Sequence, residues 1–486
     1  MHQTHYLSRL QSDKGLLLLI VPVFLLSFML FQLYPTFDSY FMADDFSWLD
    51  FVNSYGYASD IVLQPSPGGW TTPLSNLVFW GLFKAFGPNP QGYYAANALL
   101  HLFNSLLVYR LICLVTRRFE IAFGASFVFV LHFAHFSDWG PLVWISAFVQ
   151  LVVALFYLSS LILFVRYLQL KKTCYYAGAL GCFVLAIASK ETAVSLPLML
   201  LVWYMIVGQS RDERCFIRAA LLLGPFFTLL AAYLLYELTF QLSGNYLRQG
   251  TYGVGIHAIS NWKYFSNLVI PNPESPPVHN FLLRTFPTWF FSLSCSAAVI
   301  IRIGLIVIGI LLWLKGSIRV RMWTALSLIT YLPFIGFVEG FAGPNRYFYL
   351  PAVGFSALVA EGLSWTFQRL VQRRGIVVAL SGLAVVGLIL WGYNLLPIRT
   401  WQKLMRTNSE VRQEVLRMVN EHMSERGVQV YLIGFPDKFR DLTVATRALY
   451  GVDAVWVAPN NQDEIRPPAN ALILVYEADR VVMHWP

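Results

Sequence analysis

The chain has 486 residues, 57% of them hydrophobic and only 13% charged, with a net charge of +9. Soluble globular chains carry about 25% charged residues, so the composition excludes an ordinary soluble domain. The basic excess gathers in the short segments between apolar blocks, which makes it a topology signal and not a polyanion-binding surface.

Each apolar block is close to the ~20 residues that cross a ~30 Å hydrocarbon core. The blocks read as spans near 15–34, 92–114, 119–135, 141–165, 174–189, 192–209, 216–239, 290–314, 322–338, 348–366 and 376–396. A cytoplasmic N-terminus puts Arg117 and Arg118, Lys171 and Lys172, and Arg211, Arg214 and Arg218 inside. Lys315, Arg319 and Arg321, then Arg369, Arg373 and Arg374, follow on the same side, as the positive-inside rule asks. The expected fold class is therefore an all-α polytopic membrane protein of about 11 transmembrane helices. The first span reads as an uncleaved anchor. The five cysteines form no CxxC pair, and disulfides are not expected. No Asn-x-Ser/Thr sequon occurs, which leans toward a bacterial inner membrane.

Three outer regions are large enough to hold chemistry. The first loop, 35–91, carries Asp44 and Asp45 in FMADDFSWLDF, then an amphipathic LVFWGLFKAFG suited to lying in the interface. The second, about 240–289, holds VIPNPESPPVHNF, whose prolines forbid a regular helix. The tail from 397 differs in kind. VRQEVLRMVNEHM has helical periodicity, VQVYLIG and AVWVAP read as strands, LTVATRALYG as a helix ending at Gly451, and ALILVYEADRVVMHW as one or two strands. Two domains are expected: 1–396, polytopic, and 397–486, a small extracytoplasmic α/β domain.

Acids just outside a span are functional candidates. In a short helix Asp44 and Asp45 diverge by about 100°, so one of them at most faces a substrate as general base. A helix-capping role is the plainer alternative, and Trp48 lies beside them as a cavity candidate. Asn97, His101 and Asn104 share one helix face, where polar residues often tie helices together. His132 and His135, with Asp138 behind them, have a spacing open to metal ligation or to interfacial packing. In IASKETAVSLP, Lys190 either pairs with Glu191 or meets an anionic lipid headgroup. Arg346 in GPNRYFYLPAVGF is suited to phosphate, or snorkels at the interface.

Acids in the first outer loop resemble those of the C-type (GT-C) membrane glycosyltransferases. PLSNLVFWGLFKAFGPNPQGYYAANALLHLFNSLLVYRL, LHFAHFSDWGPLVWIS, ASKETAVSLPLMLL and NRYFYLPAVGF resemble, in that order, bacterial relatives of the transmembrane tetratricopeptide O-mannosyltransferases. The superfamily also includes the dolichyl-phosphate-mannose protein mannosyltransferases. Thr72 stands where that family often carries Arg, and Ser137 or Asp138 and Asn345 stand where it often carries Glu.

The resemblance implies an inverting glycosyltransferase, mannosyltransferase-like. It would move a sugar from a polyprenyl-phosphate donor to an acceptor hydroxyl of a protein, lipid or polysaccharide, outside the membrane. Asp44 or Asp45 would be the base, Lys190 and Arg346 the lipid-phosphate ligands, and Glu191, His101, His132, His135 and Trp48 cavity residues. No nucleic-acid partner is implied. The only cofactor considered is a divalent cation, Mg or Mn, held by Asp44, Asp45 and His135. The alternatives are a flippase of a lipid-linked sugar and a non-catalytic membrane assembly protein.

Overall fold

A computed structural model describes residues 21–137, 139–208, 213–244, 255, 258, 261–269, 300, 304, 307–337, 345–422, 429–457, 467–468, 471–477 and 480–484. The fold is mostly helical, with several apolar helices and a small C-terminal sheet. Four described helices are long and apolar enough to cross a membrane: Val21–Asp38, Pro90–Thr116, Ile145–Leu170 and Ile217–Phe240. Phe119–Val130, Thr173–Ile187 and Glu191–Ile206 are shorter apolar helices. Much of the span expected at 290–314, the VIPNPESPPVHNF segment and Asp138 lie outside the described residues.

The helices begin and end where local chemistry dictates. Helix α1 covers 21–33. The acid helix α2 (Asp44–Asn53) follows, then α3 (Pro73–Phe86) and α4 (Pro90–Thr116). Asn89 caps α4, its side chain accepting the Gln91 N–H at 3.1 Å, with Pro90 at the position whose N–H needs no partner. The helix stops at Arg117, which takes a left-handed conformation. Helices α5 (Phe119–Val130) and α6 (Phe148–Leu170) both pack on α4, and α7 (Thr173–Ile187) packs on α6.

Polar side chains tie this bundle together. Asn97 donates to the Pro141 carbonyl at 3.2 Å, and Asn104 to the Leu151 carbonyl at 2.9 Å. His101 joins the Tyr349 hydroxyl at 2.7 Å and the Val130 carbonyl at 3.1 Å. Buried polar groups satisfied in this way fix helix register.

Helices α8 (Leu196–Gly208) and α9 (Glu213–Gly244) lead to α10 (Ile318–Tyr331) and α11 (Pro351–Arg374). Gly354 lets α11 close on α10: a Cβ there would overlap the Trp323 carbonyl and the Ser327 hydroxyl, and Ser327 already donates to the Pro351 carbonyl at 2.9 Å. Gly354→Ala is expected to destabilise the protein by about 1–3 kcal/mol. Thermal unfolding in detergent checks this; a wild-type midpoint would mean that the helices separate without strain.

Helix α12 (Ile376–His422) is continuous and contains Pro397, so the expected boundary at 396/397 falls inside one helix. Beyond it, β1 (Val430–Ile433), α13 (Leu442–Tyr450) and β2 (Ala454–Val457) form a parallel βαβ unit. Strand β3 (Leu472–Glu477) lies parallel to β1, and β4 (Arg480–His484) closes antiparallel on β3, giving the order β2-β1-β3-β4. Gly451 ends α13 at φ 69°, a conformation that glycine adopts without steric cost.

This unit does not have a core to itself. Val415, Leu416, Val419, Leu432, Phe435, Leu442 and Leu474 share one buried cluster with Phe41, Phe46, Trp48, Leu49, Phe79, Tyr94 and Phe148. The segment 35–91 is thus packed between the bundle and the C-terminal sheet. A helix as short as α2 is marginal alone, and this burial accounts for its stability.

Candidate functional site

The acids sit on a tight turn. Met42, Ala43, Asp44 and Asp45 close it through the Asp45 N–H and the Met42 carbonyl at 3.0 Å. Ala43, the N-cap of α2, has φ 50° and ψ −124°. That conformation suits glycine in a type II′ turn, and in alanine it stores about 1–3 kcal/mol of strain. A strained turn persists only where its surroundings hold it, and here they do. The Ala43 N–H donates to Asp441 Oδ2 at 2.6 Å.

The two acids face opposite environments. Asp45 is fully buried. Its Oδ2 accepts the Met42 N–H at 3.0 Å, and its Oδ1 accepts the Ser146 N–H at 2.7 Å together with the Ser146 hydroxyl. Burial nevertheless pushes its carboxyl up to about 7, against those three donors, and Asp44 adds to the rise. Asp44 is exposed. Its side chain reaches solvent through a recess crowded by protein, and lost hydration raises its carboxyl above the ordinary value. Arg346 pulls it down and Asp441 pushes it up. Neither acid is the N-cap itself. Asp45 is an anchor that reaches back over the helix start, and Asp44 is the acid exposed to solvent.

Arg346 is the cation of this recess. Its guanidinium lies 4.6 Å from the Trp144 ring centroid and 4.5 Å from that of Tyr347, and donates to the Tyr347 hydroxyl at 2.9 Å. Stacking of this kind suits the planar guanidinium and would suit an ammonium poorly. Among the described residues no carboxylate forms a salt bridge with it.

Lys190 is placed differently. It pairs with Glu191 at 3.1 Å, both side chains being largely buried. Its loop is fixed from the first outer loop: the Leu74 N–H donates to the Ala188 carbonyl at 2.9 Å, and the Ser75 hydroxyl to the Ser189 carbonyl at 2.7 Å. The 3-10 turn Glu191–Ser195 packs on Leu332–Phe334, and Phe334 stacks on Tyr347 at 4.3 Å between centroids. One layer of rings therefore links the Lys190 loop to Arg346. The Ser137 and Asn345 segments also meet, since the Asn345 amide donates to the Ser137 carbonyl at 3.2 Å and to its hydroxyl at 3.3 Å.

The remaining candidates lie within the packed interior. His132 joins the Leu268 carbonyl at 2.8 Å and accepts the Ala134 N–H at 3.3 Å. The His135 ring lies 5.0 Å from His101 and 4.7 Å from Tyr349. Trp48 is buried against Phe51, Phe79 and Phe148. Among the described residues no three His, Cys, Asp or Glu side chains group as metal ligands. Asp44, Asp45 and His135, the expected cation ligands, are not brought together as such a group. Ser146, Trp144, Ala43, Asp441 and Arg412 belong to the site and carry no local sequence pattern that marks them. Arg412 and Asp441, the pair that grips the turn, are joined by a 2.8 Å salt bridge.

No family model matches the chain, and no curated protein matches it. Among solved structures, the crystal structure of ArnT from Cupriavidus metallidurans bound to undecaprenyl phosphate is similar with a TM-score of 0.49 at 11% identity, over 93% of this chain and 92% of that one. The apo structure of the same protein gives 0.46 at 11% identity over the same shares.

Proposed function

We propose that this chain is an inverting glycosyltransferase that moves a sugar from a polyprenyl-phosphate donor to an acceptor hydroxyl. The observation that carries the reading is that the exposed Asp44 carboxyl, raised by lost hydration, feels the positive charge of Arg346. In this reading the acceptor oxygen attacks the anomeric carbon while Asp44 takes its proton. The bond from that carbon to the phosphate oxygen breaks with its electron pair, and Arg346 stabilises the charge gathering on the departing polyprenyl phosphate. A single displacement needs one base, which fits one free acid and one anchored acid. It differs from the two working carboxylates of glycoside hydrolases.

Lys190 contributes less in this arrangement, because Glu191 already balances its charge. We place the recess on the outer face of a bacterial inner membrane, with the N-terminus cytoplasmic. The C-terminal unit is then extracytoplasmic, and the acceptor a protein, lipid or polysaccharide hydroxyl. The test uses purified protein in nanodiscs with polyprenyl-phosphate sugars labelled in the sugar, and membrane extract as acceptor. Release of polyprenyl phosphate with label passing to acceptor is the expected result. Movement of intact donor between leaflets without release would instead establish a flippase.

A further inference from the structure

Three features outside the reacting groups stand out: the buried histidine cluster, the Trp139–Trp144–Trp401 rings, and the contact between the C-terminal unit and the acid turn. His101 and His132 spend their ring nitrogens on partners within the fold. The indole nitrogens of Trp144 and Trp401 are sealed from solvent. The third feature carries an inference.

We propose that Asp441 and Arg412, both from the C-terminal part of the chain, are positioning residues for Asp44, holding the turn that aims it. The pair is largely buried, with side-chain exposures of 6% for Arg412 and 9% for Asp441. Arg412 Nε donates to Asp441 Oδ2 at 2.9 Å, and its Nη2 also donates to the Lys438 carbonyl at 2.8 Å. The guanidinium so fixed turns Asp441 Oδ2 toward the Ala43 N–H, 2.6 Å away. That amide belongs to the strained residue immediately before Asp44, so it cannot join the helix and needs an acceptor.

Contacts on either side make the grip a ladder. Gln402 donates to the Gln32 carbonyl at 2.7 Å, Ser409 accepts the Tyr40 N–H at 2.9 Å, and Arg447 pairs with Asp50 at 2.8 Å. Helices α12 and α13 together thus hold residues 32–50. The charged groups around Asp44 are Asp45 on its own helix, Arg346, Asp441 with Arg412, and Arg447 on α13, which is committed to Asp50. Lys84 on α3 lies over Trp80.

The inference rests on the transferase reading for its kinetic arm, and the experiment separates the two. Asp441→Asn and Arg412→Lys are compared with wild type in the full-length protein by hydrogen exchange of peptides covering 41–50 and by donor turnover across pH. Asp441→Asn is expected to speed exchange in that segment and to lower kcat by about 10–100-fold, with KM for donor little changed. Its acid limb should move to lower pH, because removing a negative neighbour makes Asp44 easier to ionise. Arg412→Lys, which keeps the buried charge, should lower kcat less than Asp441→Asn does. Faster exchange with wild-type kcat and an unmoved acid limb would overturn the proposal, as would exchange in 41–50 equal to wild type. If wild type consumes no donor, the transferase reading falls. The exchange comparison then decides alone whether Asp441 holds the turn.

Discussion

Asp44→Asn is expected to lower kcat for sugar transfer by about 10²–10⁴-fold, the range a general base contributes, with no change in thermal stability. Asp45→Asn is expected to do the reverse in emphasis. The reason lies in their partners. Asp44 accepts no hydrogen bond among the described residues that an amide would forfeit, and it faces solvent. Asp45 has donors on both oxygens, the Met42 N–H on one and the Ser146 N–H and hydroxyl on the other. An amide offers one oxygen and one NH₂, so at least one of these donors would meet another donor. Leaving such a buried group unpaired costs about 1–3 kcal/mol.

The pH dependence separates the acids further. Burial raises Asp45 to about 7 in the fold, above its ordinary value, so the folded chain binds this proton more tightly than the unfolded chain does. Its contribution to stability is full below the ordinary carboxylate value, near 4, and is lost as pH rises through about 7. Unfolding midpoints in detergent across that window should therefore fall with rising pH in wild type and fall less in Asp45→Asn. For Asp44 the observable is the acid limb of kcat/KM, which should lie above the range of an ordinary carboxylate because lost hydration raises the group. Donor turnover by Asp44→Asn at the wild-type rate, together with its loss in a stably folded Asp45→Asn, would exchange the two roles.

Much of this was legible from the sequence because it rests on periodicity and solvent. Apolar blocks mark helices, and the tail pattern marks two strands, a helix ending at Gly451 and one or two further strands, of which the fold contains two. The divergence of Asp44 and Asp45 follows from helix geometry, and burial of one with exposure of the other bears that out. The helix face of Asn97, His101 and Asn104 ties helices together, as such faces often do. What could not be read was which partner each acid meets. Ser146 lies 101 positions from Asp45, and Asp441 lies 398 from Ala43. Neither sits in a local pattern, since a serine two residues after a tryptophan or an aspartate before a short helix is commonplace. The choice between Lys190 and Arg346 was equally hidden. Both are cations at span ends, and only the fold pairs one with Glu191 and leaves the other stacked between aromatic rings.

Arg346→Ala is expected to lower kcat/KM for donor by about 10²–10³-fold, as removal of a fixed charge from a leaving group does, and Arg346→Lys should not restore it. Between the Trp144 and Tyr347 rings a planar guanidinium is stacked and oriented, with one N–H spent on the Tyr347 hydroxyl. An ammonium is a compact, strongly hydrated charge with no such fit. A second consequence is independent of rate. Arg346 lowers the Asp44 carboxyl, so its removal raises that carboxyl further and moves the acid limb to higher pH. Asp441→Asn moves the same limb the other way. Two variants in separate segments of the chain should thus shift one titration in opposite directions, and only a shared group between them can produce that result. Were both variants to shift it the same way, or neither to shift it, Asp44 would not be the group whose ionisation limits turnover.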